Sequence, residues 1–185
     1  EWIIKRTGIS ERRILSNETP IYSMAVDAAR RSLDDSGLSA EDLDLIIVTT
    51  ATPDYLTPTT SCIIQREIGA INASAFDLSA ACSGFLYGMT VAKQFIETGY
   101  YRHVMLVSSE AMSRVVDWTD RNTCVLFGDA AGAVILGQVE EGYGIISTYI
   151  GADGAQGNSI TIPCLYMPEE DIERRRKYTN LKTLW

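Results

Sequence analysis

The chain has 185 residues, of which 46% are hydrophobic and 22% are charged, a composition ordinary for an α/β domain with a sizeable core. Its net charge of −8 argues against a nucleic acid as the main partner, because binding a phosphate backbone needs a positive surface. The sequence has neither an apolar run of about 18 residues nor the residue order of a signal peptide, so we expect no membrane contact and a cytoplasmic location.

Helical and strand patterns alternate along most of the chain without a repeat or a linker, which predicts one α/β layer system. A helix is expected to begin after Pro20 and to end near Gly37. The β-branched run at 45–50 predicts a strand covered on both faces, and a loop with two prolines follows at 51–58. A short helix that ends at Ile68 comes next.

The second part of the chain continues the same alternation, with a very short turn between the next strand and the next helix. The remaining predicted elements are, in chain order, a strand at 74–79, a long helix at 83–98, a strand at 103–108, further strands at 131–138 and 144–151, and a short helix at 169–177.

The cysteines are spread along the chain without C-x-x-C spacing, at Cys62, Cys82, Cys124 and Cys164. There is one histidine, His103. This pattern predicts free thiols, with no metal site and no disulfide framework.

Cys82 lies where the predicted strand at 74–79 meets the long helix. The amino terminus of a helix presents unpaired N–H groups and about half a unit of positive charge, which favours a thiolate and can hold an oxyanion. Gly84 allows a tight turn, and Gly88 permits close packing of the helix against its neighbour. Spacing alone leaves open whether Cys82 is a nucleophile or a buried structural cysteine.

The string AFDLSAACSGFLYG, which contains Cys82, resembles the nucleophile motif of β-ketoacyl-acyl-carrier-protein synthase III enzymes in the thiolase superfamily. Three further motifs resemble that family in the same order: an opening with Trp2, RTGI and an ER pair, then DWTDR at 117–121, then FGDAAGA at 127–133. The resemblance extends from Glu1 to about Gly157.

The resemblance implies an α/β, thiolase-like fold with a mixed five-stranded sheet between helix layers. In the family the first strand precedes the Trp2 motif and a second, pseudo-symmetric half follows, so the chain is expected to be a fragment without either. We assign residues 1–160 to an amino-terminal half-domain and 161–185 to the start of the connection towards the second half. The family's catalytic histidine and asparagine lie in that half, so the fragment alone is expected to be inactive.

The function implied by the resemblance is that of an acyltransferase in fatty acid biosynthesis. Cys82 would accept a primer from acyl-CoA, acetyl or a short to medium acyl chain. Malonyl-acyl-carrier protein would then lose CO2, and its carbanion would attack the thioester. Coenzyme A takes part as a substrate, and no cofactor is implied.

The resemblance also implies roles for residues outside the cysteine motif. Trp2 and Arg121 correspond to the pair that sandwiches the adenine of CoA, and Arg6 to a residue that contacts its phosphates. Flat indole and guanidinium groups suit stacking on a purine, and arginine's forked donors match phosphate oxygens. Without the resemblance, Trp2 would be read as a core residue and both arginines as solvated.

The family is expected to be homodimeric through the strand at 74–79. By the resemblance, Thr57 lies in the loop that corresponds to the family loop reaching into the acyl pocket of the partner subunit, at a position where acetyl-preferring members can have a bulky aromatic residue. A smaller side chain there leaves room for a longer primer.

Two residues could be mistaken for catalytic groups. His103 does not match the family histidine and opens a predicted strand, so we assign it a structural role. Asp129 follows Gly128 and precedes small residues, where a turn needs side-chain hydrogen bonding, so its role is also expected to be structural.

Alternative functions remain open. A starter polyketide synthase or a hydroxymethylglutaryl-CoA-type synthase would share the cysteine junction, although the RTGI, ER and DWTDR strings favour synthase III. A non-catalytic domain for dimerisation or carrier-protein binding is the alternative from a different class.

Overall fold

The structure, a computed structural model, describes residues 1–157 and 159–162. They form two compact units. The smaller unit consists of 1–15, 111–129 and the described residues from 151 onward, and the larger unit of 16–110 and 130–150. The division of the chain at residue 160 stays a prediction.

A single sheet of four strands organises the fold. The strands are β1 (Leu45–Thr49), β2 (Ser74–Leu78), β3 (Val104–Ala111) and β4 (Asp129–Leu136), in the spatial order β2-β1-β3-β4. β1 pairs in parallel with both β2 and β3. Gly137, just after β4, lies against Arg102, just before β3, so β4 runs antiparallel to β3. The sheet is therefore mixed, with four of the five strands that the resemblance implies.

The described part of the chain contains four α-helices. They are α1 (Trp2–Thr7), α2 (Ile21–Ser36), α3 (Thr60–Ile68) and α4 (Gly84–Glu97). The predicted helix after Pro20 is confirmed as α2, and Gly37 ends it in the left-handed conformation at φ 70°. The predicted helices before Gly69 and after Cys82 are confirmed as α3 and α4, whereas α1 was missed.

The core lies on both faces of the sheet, as the continuous apolar run of β1 predicts. All five residues of β1 are buried. On one face Val48 packs with residues of α2 and α3, and on the other face Ile47 packs with residues of α4. A strand covered on both faces reads as an uninterrupted hydrophobic run because neither set of side chains meets water.

The strand predicted at 144–151 is wrong. Residues 144–151 form no strand in the structure, and Ile146 and Tyr149 are 85% and 94% exposed. β-branched and aromatic residues fit a half-buried pleated surface, but their preference for strands depends on a neighbouring strand to pair with. The helix predicted at 169–177 lies outside the described residues.

None of the helices in the described part of the chain has the length and apolarity needed to cross a lipid bilayer. The longest, α2, has 16 residues and only four that are buried.

Two glycines bring α4 very close to the sheet. A Cβ added at Gly88 would lie 2.5 Å from Cδ1 of Leu106 on β3, and one added at Gly84 would lie 3.0 Å from Cβ of Thr49 on β1. A side chain at Gly88 would require Leu106 to shift, and one at Gly84 would require Thr49 to move by a few tenths of an ångström. The predicted close packing at Gly88 is confirmed, and it fixes the height of α4 above the strands.

Replacing Gly88 by alanine is expected to lower the free energy of unfolding by about 1–3 kcal/mol, because overpacking outweighs the roughly 1 kcal/mol that alanine gains over glycine in a helix. Leu106, which would have to shift, is fully buried. Gly132→Ala is the control, since an added Cβ there meets nothing within 4 Å. Urea unfolding of the full-length protein measures both, and equal effects would contradict the close contact.

Candidate active site

Cys82 lies in the short connection between β2 and α4. It is exposed, and it is the middle residue of the 3-10 turn Ala81–Ser83 that leads directly into the helix. Ala81, beside it, has φ 45°, the one positive value among the described non-glycine residues. An L-residue in this region costs about 1–2 kcal/mol, and such strain is typical of functional turns. The exposed position of Cys82 is that of a reactive thiol and not of a core residue.

The amino terminus of α4 is free of a side-chain cap. Its first residue is Gly84, and the side chain of the preceding Ser83 makes no capping hydrogen bond. The first turn of this 14-residue helix contains no acidic residue, and no carboxylate of the described residues is seen to accept a hydrogen bond from its first N–H groups. Cys82 sits two residues before the helix, where the partial positive charge of the helix is concentrated.

Cys62 provides an informative contrast, because it too is exposed and lies in the first turn of a helix, α3. A position at a helix amino terminus is thus not unique to Cys82. At α3, however, the carboxylate of Asp77 accepts hydrogen bonds from the N–H groups of Thr60 and Ser61, both at 2.8 Å. The terminus beside Cys62 is therefore occupied by a carboxylate, whereas no described carboxylate caps the one beside Cys82.

The other cysteines give no second candidate. Cys124 is a free, partly buried thiol, and Cys164 lies outside the described residues. Within residues 1–157 and 159–162, no cluster of three or more histidine, cysteine, aspartate or glutamate side chains could hold a metal ion.

A row of polar side chains lies at the carboxyl ends of β1 and β3. Thr49 and Ser108 share a hydrogen bond between their hydroxyls. The Glu110 carboxylate accepts hydrogen bonds from the Ala51 N–H at 2.8 Å and the Thr52 hydroxyl at 2.7 Å. Gly84 packs on Thr49, so the first turn of α4 rests at this end of the sheet. Sequence analysis missed Glu110, although a carboxylate that ends a buried apolar run is a detectable signal.

The loop after β1 carries Thr57 at an exposed tip. Thr57 is exposed, and its neighbours Tyr55 and Leu56 are 54% and 72% exposed. The base of the loop is anchored, because the Asp54 carboxylate accepts hydrogen bonds from two backbone N–H groups at the start of α2, at 2.9 and 2.7 Å. The loop therefore holds apolar side chains out from an anchored base.

Trp2 and Arg6 lie together on α1. They are four residues apart and so share one face of the helix, and the guanidinium carbon of Arg6 lies 5.3 Å from the centre of the Trp2 ring. Trp2 is 59% exposed, so it is not the core residue that its type alone would suggest.

Arg121 is exposed on a loop shaped by two aspartates. Asp117 accepts hydrogen bonds from the hydroxyl and N–H of Thr119 at 2.7 and 2.8 Å, and Asp120 accepts one from the N–H of Asn122 at 3.0 Å. The hydroxyl bond from Thr119, and then the N–H bond, hold the pKa of Asp117 below its ordinary value. The Asp117 carboxylate therefore keeps these hydrogen bonds at neutral pH, and Arg121 lies exposed on the loop that they shape.

The structural roles expected for His103 and Asp129 are confirmed. Nδ1 of His103 donates to the carbonyl oxygen of Asp42 at 3.1 Å, at the start of β3. Asp129 is buried, and its carboxylate accepts hydrogen bonds from the N–H groups of Leu15 and Ser113 at 2.7 and 2.8 Å and from the Ser113 hydroxyl. The Asp129 carboxylate thus accepts three hydrogen bonds within its own unit.

Sequence comparison places the Cys82 junction in a known family. A family model described as 3-oxoacyl-[acyl-carrier-protein (ACP)] synthase III matches residues 76–154, which include Cys82, Arg121 and Asp129. The β-ketoacyl-[acyl-carrier-protein] synthase III of Caldanaerobacter subterraneus subsp. tengcongensis is 53% identical over 163 residues, which are 88% of this chain and 49% of that protein.

Solved structures agree with the sequence match. The β-ketoacyl-[acyl carrier protein] synthase III of Thermus thermophilus has a TM-score of 0.84 at 40% identity, over 90% of this chain and 51% of that one. The priming β-ketosynthase of the R1128 polyketide biosynthetic pathway has a TM-score of 0.72 at 44% identity, over 75% of this chain and 41% of that one.

The chain spans about half the length of the curated relatives it matches. Within that span the identity is above one half, the fold agrees, and the matched segment contains the cysteine at its uncapped helix terminus. The chain therefore belongs to the 3-oxoacyl-[acyl-carrier-protein] synthase III family.

Proposed function

We propose that the full-length protein condenses an acyl-CoA primer with malonyl-acyl-carrier protein through an acyl group on Cys82, and so initiates fatty acid synthesis. The observation that carries the proposal is the exposed thiol of Cys82 beside the uncapped amino terminus of α4, within the segment that the family model matches. The relatives named above are β-ketoacyl-[acyl-carrier-protein] synthase III enzymes.

The first step is a thioester exchange at Cys82. The thiolate attacks the carbonyl carbon of acyl-CoA, CoA leaves as its thiol, and the acyl group remains on the sulfur. In the second step malonyl-acyl-carrier protein loses CO2, its carbanion attacks this thioester, and the cysteine is released. Both attacks place negative charge on a carbonyl oxygen, which the positive end of α4 is suited to stabilise.

Coenzyme A takes part as a substrate, and we propose no resident cofactor. Trp2 and Arg121 are assigned to the adenine and Arg6 to the phosphates. The exposure of all three side chains supports these roles, because each is accessible to a ligand. The contact of Arg6 with Trp2 brings the phosphate-binding cation next to one stacking face.

A homodimer in the cytoplasm completes the proposal. β2 forms one edge of the sheet, so the outer side of its backbone has no partner strand among the described residues. Two copies of such an edge can pair across a two-fold axis. The exposed apolar side chains beside Thr57 are suited to entering an acyl pocket of the neighbouring subunit.

A priming ketosynthase of polyketide synthesis is the second candidate. It is favoured by the 44% identity to the R1128 enzyme and differs from the first candidate in the pathway that its product enters. The nucleophile and the nucleotide contacts proposed above are the same for both.

Incubation of the full-length protein with acetyl-CoA is expected to add one acetyl group, and Cys82→Ala is expected to abolish this addition. Cys62→Ala is the matched control, because Cys62 is also an exposed thiol in a first helical turn but lies beside an amino terminus occupied by Asp77. Intact-protein mass spectrometry measures both. Acylation that persists in Cys82→Ala, or disappears in Cys62→Ala, contradicts the assignment.

The full-length protein is expected to react at comparable rates with acetyl-CoA and octanoyl-CoA. Thr57→Phe should lower the octanoyl rate selectively, because an aromatic ring removes space for methylenes that each contribute about 0.8 kcal/mol when buried. Thr57→Ser keeps a small side chain and should leave the ratio of the two rates unchanged. A strict acetyl preference of the unmodified protein would disprove the role of Thr57.

Ala75→Glu is expected to convert the dimer to a monomer, because it places a charge on the edge strand β2. Val134→Glu is the control, since Val134 is 36% exposed on the opposite edge strand, β4. Analytical ultracentrifugation gives the oligomeric state, and circular dichroism verifies that both variants fold. A folded Ala75→Glu dimer would argue against this interface.

A further inference from the structure

The residues assigned to the nucleotide of CoA lie in two separate segments of the smaller unit. Trp2 and Arg6 are on α1, and Arg121 is on the loop at 117–121. Stacking on both faces of one adenine requires these segments to be held at a fixed separation. The structure connects both segments to a single buried carboxylate, that of Asp129.

Ser113 links Asp129 to the Arg121 loop. Its N–H donates to Oδ1 of Asp129 at 2.8 Å, and its hydroxyl donates to Oδ2. The carbonyl oxygen of the same Ser113 accepts a hydrogen bond from the indole N–H of Trp118 at 3.0 Å. Trp118 is part of the loop that carries Arg121, so two consecutive sets of hydrogen bonds connect the loop with Asp129.

The segment 9–15, which follows α1, is attached to Asp129 and its neighbours on the other side. The backbone N–H of Leu15 donates to Oδ2 of Asp129 at 2.7 Å, and the N–H of Asp129 donates to the carbonyl oxygen of Arg13 at 2.8 Å. The Arg12 guanidinium donates to the carbonyl oxygens of Ile9 and Val125. These contacts attach residues 9–15, which follow α1 directly, to the segment that ends in Asp129.

Gly128 makes this attachment close. A Cβ added at Gly128 would lie 3.1 Å from the Arg13 carbonyl oxygen and 3.2 Å from Cβ of Arg12. Those distances leave little room for any other residue at this position. Gly128 is therefore in direct contact with Arg12 and Arg13, in addition to the hydrogen bonds that join residues 9–15 to the segment ending in Asp129.

We infer that Asp129 is a positioning residue that sets the separation of Trp2 and Arg121 and thereby the affinity for the nucleotide end of CoA. The inference rests on the function proposed above. Asp129 touches neither the ligand nor the reacting atoms. It acts through Ser113 on one segment and through Leu15 on the other, so its loss should weaken nucleotide binding and leave the chemistry at Cys82 intact.

Asp129→Asn is the test variant, because it preserves the shape of the side chain. Both carboxylate oxygens accept N–H groups, so whichever position the amide nitrogen takes, it faces a donor and breaks one link. Ser113→Ala is milder, since it removes the hydroxyl bond and keeps the N–H bond. Asp77→Asn is the control, because each carboxylate oxygen of Asp77 also accepts one backbone N–H group, from Thr60 and Ser61, but in the larger unit.

Two measurements on the full-length protein separate positioning from general stability. The first is the Kd for adenosine 3′,5′-bisphosphate by calorimetry. The second is the acylation of Cys82 by acetyl-CoA compared with acetyl-pantetheine, which lacks the nucleotide. In Asp129→Asn the Kd and the acetyl-CoA KM should rise about tenfold or more, since a displacement of about 1 Å costs up to about 100-fold. The acetyl-pantetheine rate should change less than about twofold.

Ser113→Ala should show a smaller loss of the same kind, and Asp77→Asn should lower Tm without changing the bisphosphate Kd. Unchanged bisphosphate binding in the folded variants, or equal losses with both thioesters, overturns the inference. If Asp129→Asn does not fold, Ser113→Ala alone decides. A wild-type protein that binds the bisphosphate but is not acylated contradicts the proposed function and leaves the positioning role intact.

Discussion

Carboxylates that accept pairs of backbone N–H groups hold the connections of this fold in place. The carboxylates of this group are those of Asp44, Asp54, Asp77, Glu110 and Asp129. Each accepts at least two hydrogen bonds, and most of the donors are backbone N–H groups. Loop N–H groups that leave water must find a partner, and a charged acceptor makes a stronger bond than a neutral one. Part of the negative charge of the chain therefore has a structural use inside its turns.

Burial and hydrogen bonding have opposite effects on the pKa of Asp44. Partial burial of this carboxyl would by itself raise its pKa, but the N–H groups of His103 and Arg102 outweigh that effect, and the pKa is lowered overall. A lowered pKa in the folded state means that the hydrogen bonds stabilise the fold above the ordinary pKa of aspartate, and that this contribution is lost as the pH falls through the lowered value. Acid should therefore weaken the connection that Asp44 makes to Arg102 and His103.

The same pattern explains how one helix terminus stays available for chemistry. Asp77 occupies the amino terminus of α3, whereas the terminus of α4, beside Cys82, has no side-chain cap. Tight packing at Gly88 fixes α4 against β3, so the free terminus is held in a constant position. A fixed and unneutralised dipole is useful for catalysis because it needs little reorganisation when charge develops on a substrate.

The sequence by itself determined the elements whose signals are local. Periodicity and flanking glycines located α2, α3 and α4, the apolar run located β1, and the motif around Cys82 indicated the family. Only the tertiary structure decided which predicted strands, helix termini and carboxylates have an interaction partner elsewhere in the chain. It shows that 144–151 is not a strand, that Cys62 lies beside a neutralised helix terminus, and that Asp129 binds Leu15, 114 residues away. Sequence patterns report the preferences of neighbouring residues, whereas a strand or a buried carboxylate is stable only with a partner that folding brings from a distant part of the chain.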